Sequence, residues 1–214
     1  MTAARGRPTL TERRRQETRL EIAEAAAALF GDQGYEATTV EDIASAAGIS
    51  LRTFYRYCAA KEDALTPVLT GSVVRLVDEL ATRPVEEPLT DAVCAAFGAP
   101  ESARRLADTE RARRLIRVMG EVPAIRMRWM GAGREMQDRL VPVLAVRTGA
   151  ARDSLEVRLL ASALIDAITV AMEHWARQDD LEDIAELTRR ALDYLRVDEL
   201  QITAGRRPPP PPAA

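Results

Sequence analysis

The chain has 214 residues, 47% of them hydrophobic and only 4% aromatic, and a formal net charge of −3. That length can bury a substantial core, and a composition led by Ala, Leu, Arg and Glu with scattered β-branched residues favours helices over sheets, so an all-α protein is expected. No apolar run of about 18 residues and no signal-peptide pattern occurs, and Cys58 and Cys94 have neither metal-ligand spacing nor disulfide density, which argues against a membrane span or a secreted scaffold and for the reducing cytoplasm.

Residues 1–10 are basic, contain Gly and Pro and lack periodicity, the pattern of a disordered arm. From Thr11 onward Ile22, Ala26, Leu29 and Phe30 recur at helical spacing, and Gly31 to Gly34 supply a stop. Thr38 and Thr39 then offer N-cap oxygens, with Glu41 or Asp42 as the reciprocal carboxylate. The helix they start is short because Gly48 ends it, and its inner face is Val40, Ile43, Ala44 and Ala47. After a turn of Gly48, Ile49 and Ser50 a second short helix is predicted over 51–57. Two short helices joined by a three-residue turn containing Gly make the spacing of a helix-turn-helix.

Longer helices are predicted at 62–80, 89–98, 101–120, 123–147, 153–178 and 181–198, with breaks at Pro84, Pro88, Pro100, 120–123 and Gly149. Pro142 falls inside one of them and predicts a kink. Asp179 and Asp180 fall in a turn as caps for the last helix. The tail 201–214 ends in a proline run that cannot pack as a helix.

Charge is distributed unevenly, and its distribution bears on a nucleic-acid partner more than its sum. Residues 1–19 hold Arg5, Arg7, Arg13, Arg14, Arg15 and Arg19 against Glu12 and Glu17. From Ser50 to Lys61 there are three cations and no acid. On a helix over 51–57, Arg52, Tyr55 and Arg56 share one face while Phe54 and Cys58 point the other way; Leu51 lies at the boundary. Such a face suits the reading of base edges in a major groove, where Arg pairs with guanine. Ser50, Thr53 and Tyr57 flank it with hydroxyls suited to phosphates, and Thr39 joins them at a helix start. Lys61, the sole lysine, heads the next helix; it either clamps a phosphate there or pairs with Glu62 or Asp63, and position does not choose between these.

The segment TTVEDIASAAGISLRTFYRYCAAKEDAL, with the preceding ALFGDQGYEATT, resembles the DNA-binding segment of TetR-family transcriptional regulators over about residues 13 to 65. Two positions depart from the family pattern: Cys58 stands where Phe is usual, and Arg52 where Gly is common. The resemblance implies an N-terminal three-helix DNA-binding domain over 11–61 and a helical effector-binding and dimerisation domain over 62–200. It implies base contacts from Leu51, Arg52, Tyr55 and Arg56, and phosphate contacts from Thr39, Ser50, Thr53, Tyr57 and Lys61. It further implies a homodimer joined through the last two long helices, whose apolar faces are Leu159, Leu160, Leu164, Ile165, Ile168 and Met172, and Ile184, Leu187, Ala191, Leu192 and Leu195. Periodicity alone leaves open whether those faces are buried between subunits or within one.

The expected partners are therefore an operator in double-stranded DNA, a second copy of the chain and a small-molecule effector, with no membrane. In the middle helices Phe97, Met119, Trp129, Met130 and His174 are candidate effector contacts, although Met and Trp clusters are more often plain core. His174 is the only histidine and lacks ligand partners at metal spacing, so neither a metal nor a cofactor is expected. The Arg-rich run 103–118 reads as a solvated face. No nucleophile motif, phosphate loop or HExxH occurs, which argues against an enzyme. The leading expectation is a ligand-responsive repressor; the rival is a helical small-molecule-binding or adaptor protein without a transcriptional role.

Overall fold

Helix α1 (Leu10–Gln33) starts at a capping box in which Thr9 accepts from the Glu12 amide at 3.2 Å and Glu12 accepts from the Thr9 amide at 2.7 Å. The computed structural model describes residues 9–98, 109–178 and 182–204, apart from the side chains of 72–73, 97–98 and 201–204. Most of the expected arm, residues 205–214 of the expected tail, the start of the helix expected at 101–120 and the Asp179–Asp180 cap lie outside the described residues, while residues 201–204, expected in the tail, continue the last helix. Helix α1 ends at Gln33, within the expected stop of Gly31 to Gly34, where Gly34 with φ of 85° closes it.

Next come α2 (Val40–Ala46) and α3 (Leu51–Tyr57), then a 3-10 turn (Lys61–Leu65) and α4 (Thr66–Thr82). The predicted helix over 62–80 is thus divided. The Ala60 amide donates to Asp63 at 2.9 Å, which caps the turn, and Pro67 sits in the first turn of α4. Helix α5 (Leu89–Gly98) matches its predicted span, and α6 (Thr109–Glu121) is followed by α7 (Pro123–Thr148), which continues through Pro142 as one element. Helix α8 (Leu155–Arg177) starts from Ser154, whose hydroxyl accepts from the Val157 amide at 3.3 Å.

The helix predicted over 181–198 is two helices, α9 (Ile184–Tyr194) and α10 (Val197–Ala204). Arg196 separates them with a φ of 53°, an uncommon conformation for a residue with a Cβ. The turn buries Val197 completely and brings Asp198 within 3.1 Å of the Thr90 amide at the start of α5. Among the described residues there is no strand.

Three apolar clusters hold the helices together. The largest joins α4, α5, α7, α8, α9 and α10 around Leu80, Leu89, Leu140, Leu144, Leu160 and Leu164. A second gathers Ile22, Phe30, Ile43, Phe54, Cys58 and Leu65 of the N-terminal helices, and it also takes in Met119, Ile125 and Ala132 from α6 and α7. The third packs Ile116, Ala171, Trp175, Ile184 and Leu187.

The apolar faces expected to join two subunits are in large part consumed within one. Leu160, Leu164, Ile165, Ile168, Ile184, Leu187 and Leu192 are buried in the single chain, and Met172 and Ala191 are half-buried. Helices α7 and α9 pack on α8 from two sides, which accounts for this burial. What remains outward on α8 is a narrower stripe of Leu155, Leu159 and Val170, with Leu195 and Tyr194 exposed at the end of α9.

Candidate nucleic-acid interface

Helix α2 is fixed by a second capping box. Thr39 accepts from the Asp42 amide at 3.1 Å, and Asp42 accepts from the Thr39 amide at 2.9 Å and its hydroxyl at 2.7 Å. These bonds, the side-chain one foremost, hold the Asp42 carboxyl below the ordinary Asp value. Thr38 is not the cap. It is fully buried and its hydroxyl donates to the Gly34 carbonyl at 2.7 Å. Gly48, with φ of 67°, then turns the chain so that α3 crosses α2, and the Ile49 amide returns to the Ala44 carbonyl at 2.9 Å.

Ser50 caps α3 by accepting from the Thr53 amide at 3.2 Å, and the two hydroxyls lie 3.0 Å apart. Phe54 is fully buried and Cys58 nearly so, so the inner side of α3 is anchored. Burial pushes the Cys58 thiol up, leaving it a neutral plug at neutral pH. On the outer side Leu51, Arg52, Tyr55 and Arg56 are exposed together, Tyr55 with 57% of its surface free and its ring edge-on to Phe54 at 5.6 Å. The structure thus brings four expected base-contacting residues to one exposed face, with Ser50 and Thr53 beside it, while Thr39 is exposed at the start of α2. Arg56 leans back, its guanidinium 5.2 Å from the centre of the Tyr57 ring.

Lys61 has a geometry that neither sequence reading contained. Its ammonium donates to the Tyr35 carbonyl at 2.7 Å and the Thr38 carbonyl at 2.9 Å and lies 3.9 Å from the centre of the Tyr35 ring. It therefore ties the 3-10 turn to the loop between α1 and α2. Tyr35 in turn donates to Glu62 at 3.2 Å, and burial foremost, with the Glu62 charge, raises its phenol. Asp63 meets Arg128 of α7, whose Nε donates at 2.9 Å. Burial of Asp63 acts against its charge, but the Arg128 and Ala60 hydrogen bonds outweigh that and hold the carboxyl low.

The candidate effector residues are not brought to one place. Met119 is buried in the second cluster and Trp129 packs partly against the second and third. Met130 is 64% exposed on the outer side of α7, and His174 is exposed with a ring nitrogen 2.8 Å from the Gln178 amide nitrogen. The side chain of Phe97 lies outside the described residues. Ile125, Trp129, Ala132 and Met136 are the inward side of α7, so Met130, one residue beyond Trp129, turns away from it.

Sequence reasoning passed over Arg14, Arg15 and Arg19 as individual side chains, although the cationic excess of the first nineteen residues was the signal. They stand on the flank of α1 that faces α3: Arg14 and Arg15 border a cleft with Arg56 and Tyr57, and Arg19 lies 6.0 Å from the centre of the Tyr57 ring.

The chain is similar to known proteins in sequence and in fold. Residues 22–65 match the family model of bacterial regulatory proteins of the tetR family, and residues 87–198 match that of the MftR C-terminal domain. The HTH-type transcriptional regulator TcmR of Streptomyces glaucescens is 33% identical over 198 residues, spanning 88% of this chain and 87% of its own. Among solved structures, the TetR-family transcriptional repressor FadR of Thermus thermophilus, in complex with lauroyl-CoA, has a TM-score of 0.57 at 20% identity, covering 92% of this chain and 98% of its own. The regulator FadR of Bacillus subtilis, in complex with stearoyl-CoA, has a TM-score of 0.57 at 20% identity over 88% of this chain and 99% of its own. At such identity the likeness of these two is one of fold.

Proposed function

Because the chain belongs to the TetR family of transcriptional regulators, and is on that ground a regulator and not an enzyme, we propose that it is a cytoplasmic, homodimeric repressor that reads a palindromic operator in the major groove and leaves it when a small effector binds. The observation that carries this reading is the exposed face of α3, where Leu51, Arg52 and Tyr55 stand out over a buried Phe54 with no acid among them. Arg52 supplies a bidentate donor for guanine, Leu51 and Tyr55 supply apolar and phenolic contacts to neighbouring bases, and Arg56 stands one turn further on. Thr39, Ser50, Thr53 and Tyr57 hold phosphates on either side, and Lys61 has one N–H left for the same purpose.

Two such faces in a twofold dimer meet half-sites about 34–36 Å apart or a little more, and the twofold relation is what makes the operator palindromic. The outward stripe of Leu155, Leu159 and Val170 on α8, with Tyr194 and Leu195 of α9, supports a dimer through these two helices. For the effector, the two FadR fold neighbours bound to acyl-CoA make a long-chain acyl-CoA the first compound to try.

The test is an electrophoretic shift with the DNA upstream of the protein's own gene. Binding should prefer one palindrome over scrambled duplex and weaken with salt. Arg52→Ala should lower that preference by about 1–3 kcal/mol, the value of one good base pairing, while the dimer stays intact by sedimentation. Absence of any sequence-preferring, salt-sensitive binding by the unaltered protein would refute the proposal.

A further inference from the structure

An open cleft of about 540 Å³ lies between the first turns of α1 and the end of α3. From α1 it takes Thr11, Arg14, Arg15 and Thr18, which helical spacing puts on one side, and from α3 it takes Arg56 and Tyr57. No acid lines it. Of the two acids of this part of α1, Glu12 is engaged in the capping box with Thr9, and Glu17 lies on the adjoining flank of the helix, one turn from Arg14, outside the cleft's lining. Tyr57 stands between two guanidinium groups, Arg56 at 5.2 Å and Arg19 at 6.0 Å from its ring centre. Three cationic side chains therefore border one concavity with two hydroxyl-bearing threonines and a phenol, and none of the described ion pairs neutralises them.

We propose that this cleft is a second DNA-binding site, a seat for sugar–phosphate backbone flanking the bases read by α3. The inference rests on the reading of the chain as an operator-binding regulator and extends its contact surface from the helix-turn-helix onto α1. The occupant is identified by charge and continuity: the cleft shares Arg56 and Tyr57 with the recognition helix, so a duplex whose groove receives α3 carries its backbone past that end. Arginine forks and hydroxyls are what phosphate oxygens accept from. Arg56, turned over Tyr57 and into the cleft, then serves the backbone, and Arg52 is left as the arginine that reads bases. The cleft adds affinity without sequence preference.

The experiment titrates operator and scrambled duplex from about 50 to 200 mM salt, with the unaltered protein and three variants. In the Arg14→Ala/Arg15→Ala variant the slope of log K against log salt should fall by about one per removed phosphate contact, so by about four for a dimer. Affinity at the higher salt should drop at least about tenfold for both duplexes, leaving their ratio unchanged. Arg14→Lys/Arg15→Lys keeps the charge and should keep most of the slope, which also shows that the alanine effect is not misfolding. Arg56→Ala should follow the uniform pattern and not the loss of preference expected of Arg52→Ala. An unchanged slope in the alanine variant, in a protein that still prefers its operator, overturns the cleft proposal alone, as does a change in the operator-to-scrambled ratio. If the unaltered protein binds no DNA, both readings fall.

Discussion

Gly31 is a buried residue in the last turns of α1 where that helix meets α6, and Gly31→Ala measures how closely the two are joined. A Cβ built there would lie 2.7 Å from Arg111 Cγ and 3.0 Å from the Arg111 carbonyl oxygen. The first contact could be relieved by swinging the side chain, but Arg111 is held to Asp32 by two hydrogen bonds of 2.8 and 3.0 Å. The second is to backbone and cannot be relieved locally, while Arg114 grips the Gly31 carbonyl at 2.5 Å. Replacing Gly by Ala inside a helix gains at most about 1 kcal/mol, less this near the end, whereas overpacking costs about 1–3 kcal/mol. The net expectation is a loss of about 1–2 kcal/mol. For a chain of this size that is a fall in Tm of about 3–6 °C, read by circular dichroism at matched protein concentration, since the Tm of the proposed dimer depends on it. The control is Gly131→Ala in α7, where an added Cβ meets nothing within 4 Å. It should gain about 0.5–1 kcal/mol from propensity alone. If Gly31→Ala is as stable as the unaltered protein, or rises with the control, then the close approach of α1 to α6 is wrong.

Three further outcomes follow from named contacts. Gly48→Ala forces a side chain onto a φ of 67° in the turn between α2 and α3; a cost of about 1–2 kcal/mol is expected, seen as a lower urea midpoint at unchanged m-value. Lys61→Met removes the donor shared by the Tyr35 and Thr38 carbonyls, and should cost about 1–3 kcal/mol, where a merely solvated lysine would cost nothing measurable. For Asp63 the folded carboxyl lies below its ordinary value of 3.8, so its contribution is complete above that pH and is lost as pH falls through the lower folded value. Asp63→Asn should therefore be less stable than the unaltered protein by about 1 kcal/mol near pH 7, with the gap closing only below about pH 4; a gap that closes nearer pH 6 would point to another group.

The helix-turn-helix was legible because its determinants are local. Thr39 and Asp42 are three residues apart, Gly48 is required by its own backbone angle, and Phe54 and Cys58 are one turn apart on an inward side. The failures have a common origin in contacts distant along the chain. Nothing near Lys61 announces that its ammonium will satisfy carbonyls at positions 35 and 38, and nothing near Arg147 announces a buried guanidinium donating to the Glu87 carbonyl at 2.6 Å. The break at Arg196 carries no Gly, Pro or Asn signal; it is imposed by burial of Val197 and the Asp198 bond to the Thr90 amide. Apolar periodicity located α8 but could not say which copy of the chain would cover it, because one subunit and two subunits bury the same stripe equally well.

The joint between the N-terminal helices and the rest has a mechanical consequence. Met119, Ile125 and Ala132 complete the apolar cluster that contains Phe54 and Ile43, so the helix-turn-helix is joined to α6 and α7 through α1 and the 3-10 turn, which share that core. Polar ties brace the same contact at two points: Arg111 and Arg114 of α6 hold the end of α1, and Arg128 of α7 holds Asp63. A close-packed core transmits displacement because it cannot stretch without opening voids. Any ligand that moves α6 or α7 must therefore either carry α3 with it or break those ties. In the proposed dimer, whose two α3 faces enter successive grooves together, a small rotation at this joint is multiplied by the distance to the recognition helix. In the proposed repressor an effector thus needs no contact with the DNA-binding surface to empty the operator; it needs only a higher affinity for the arrangement in which α6 and α7 are displaced.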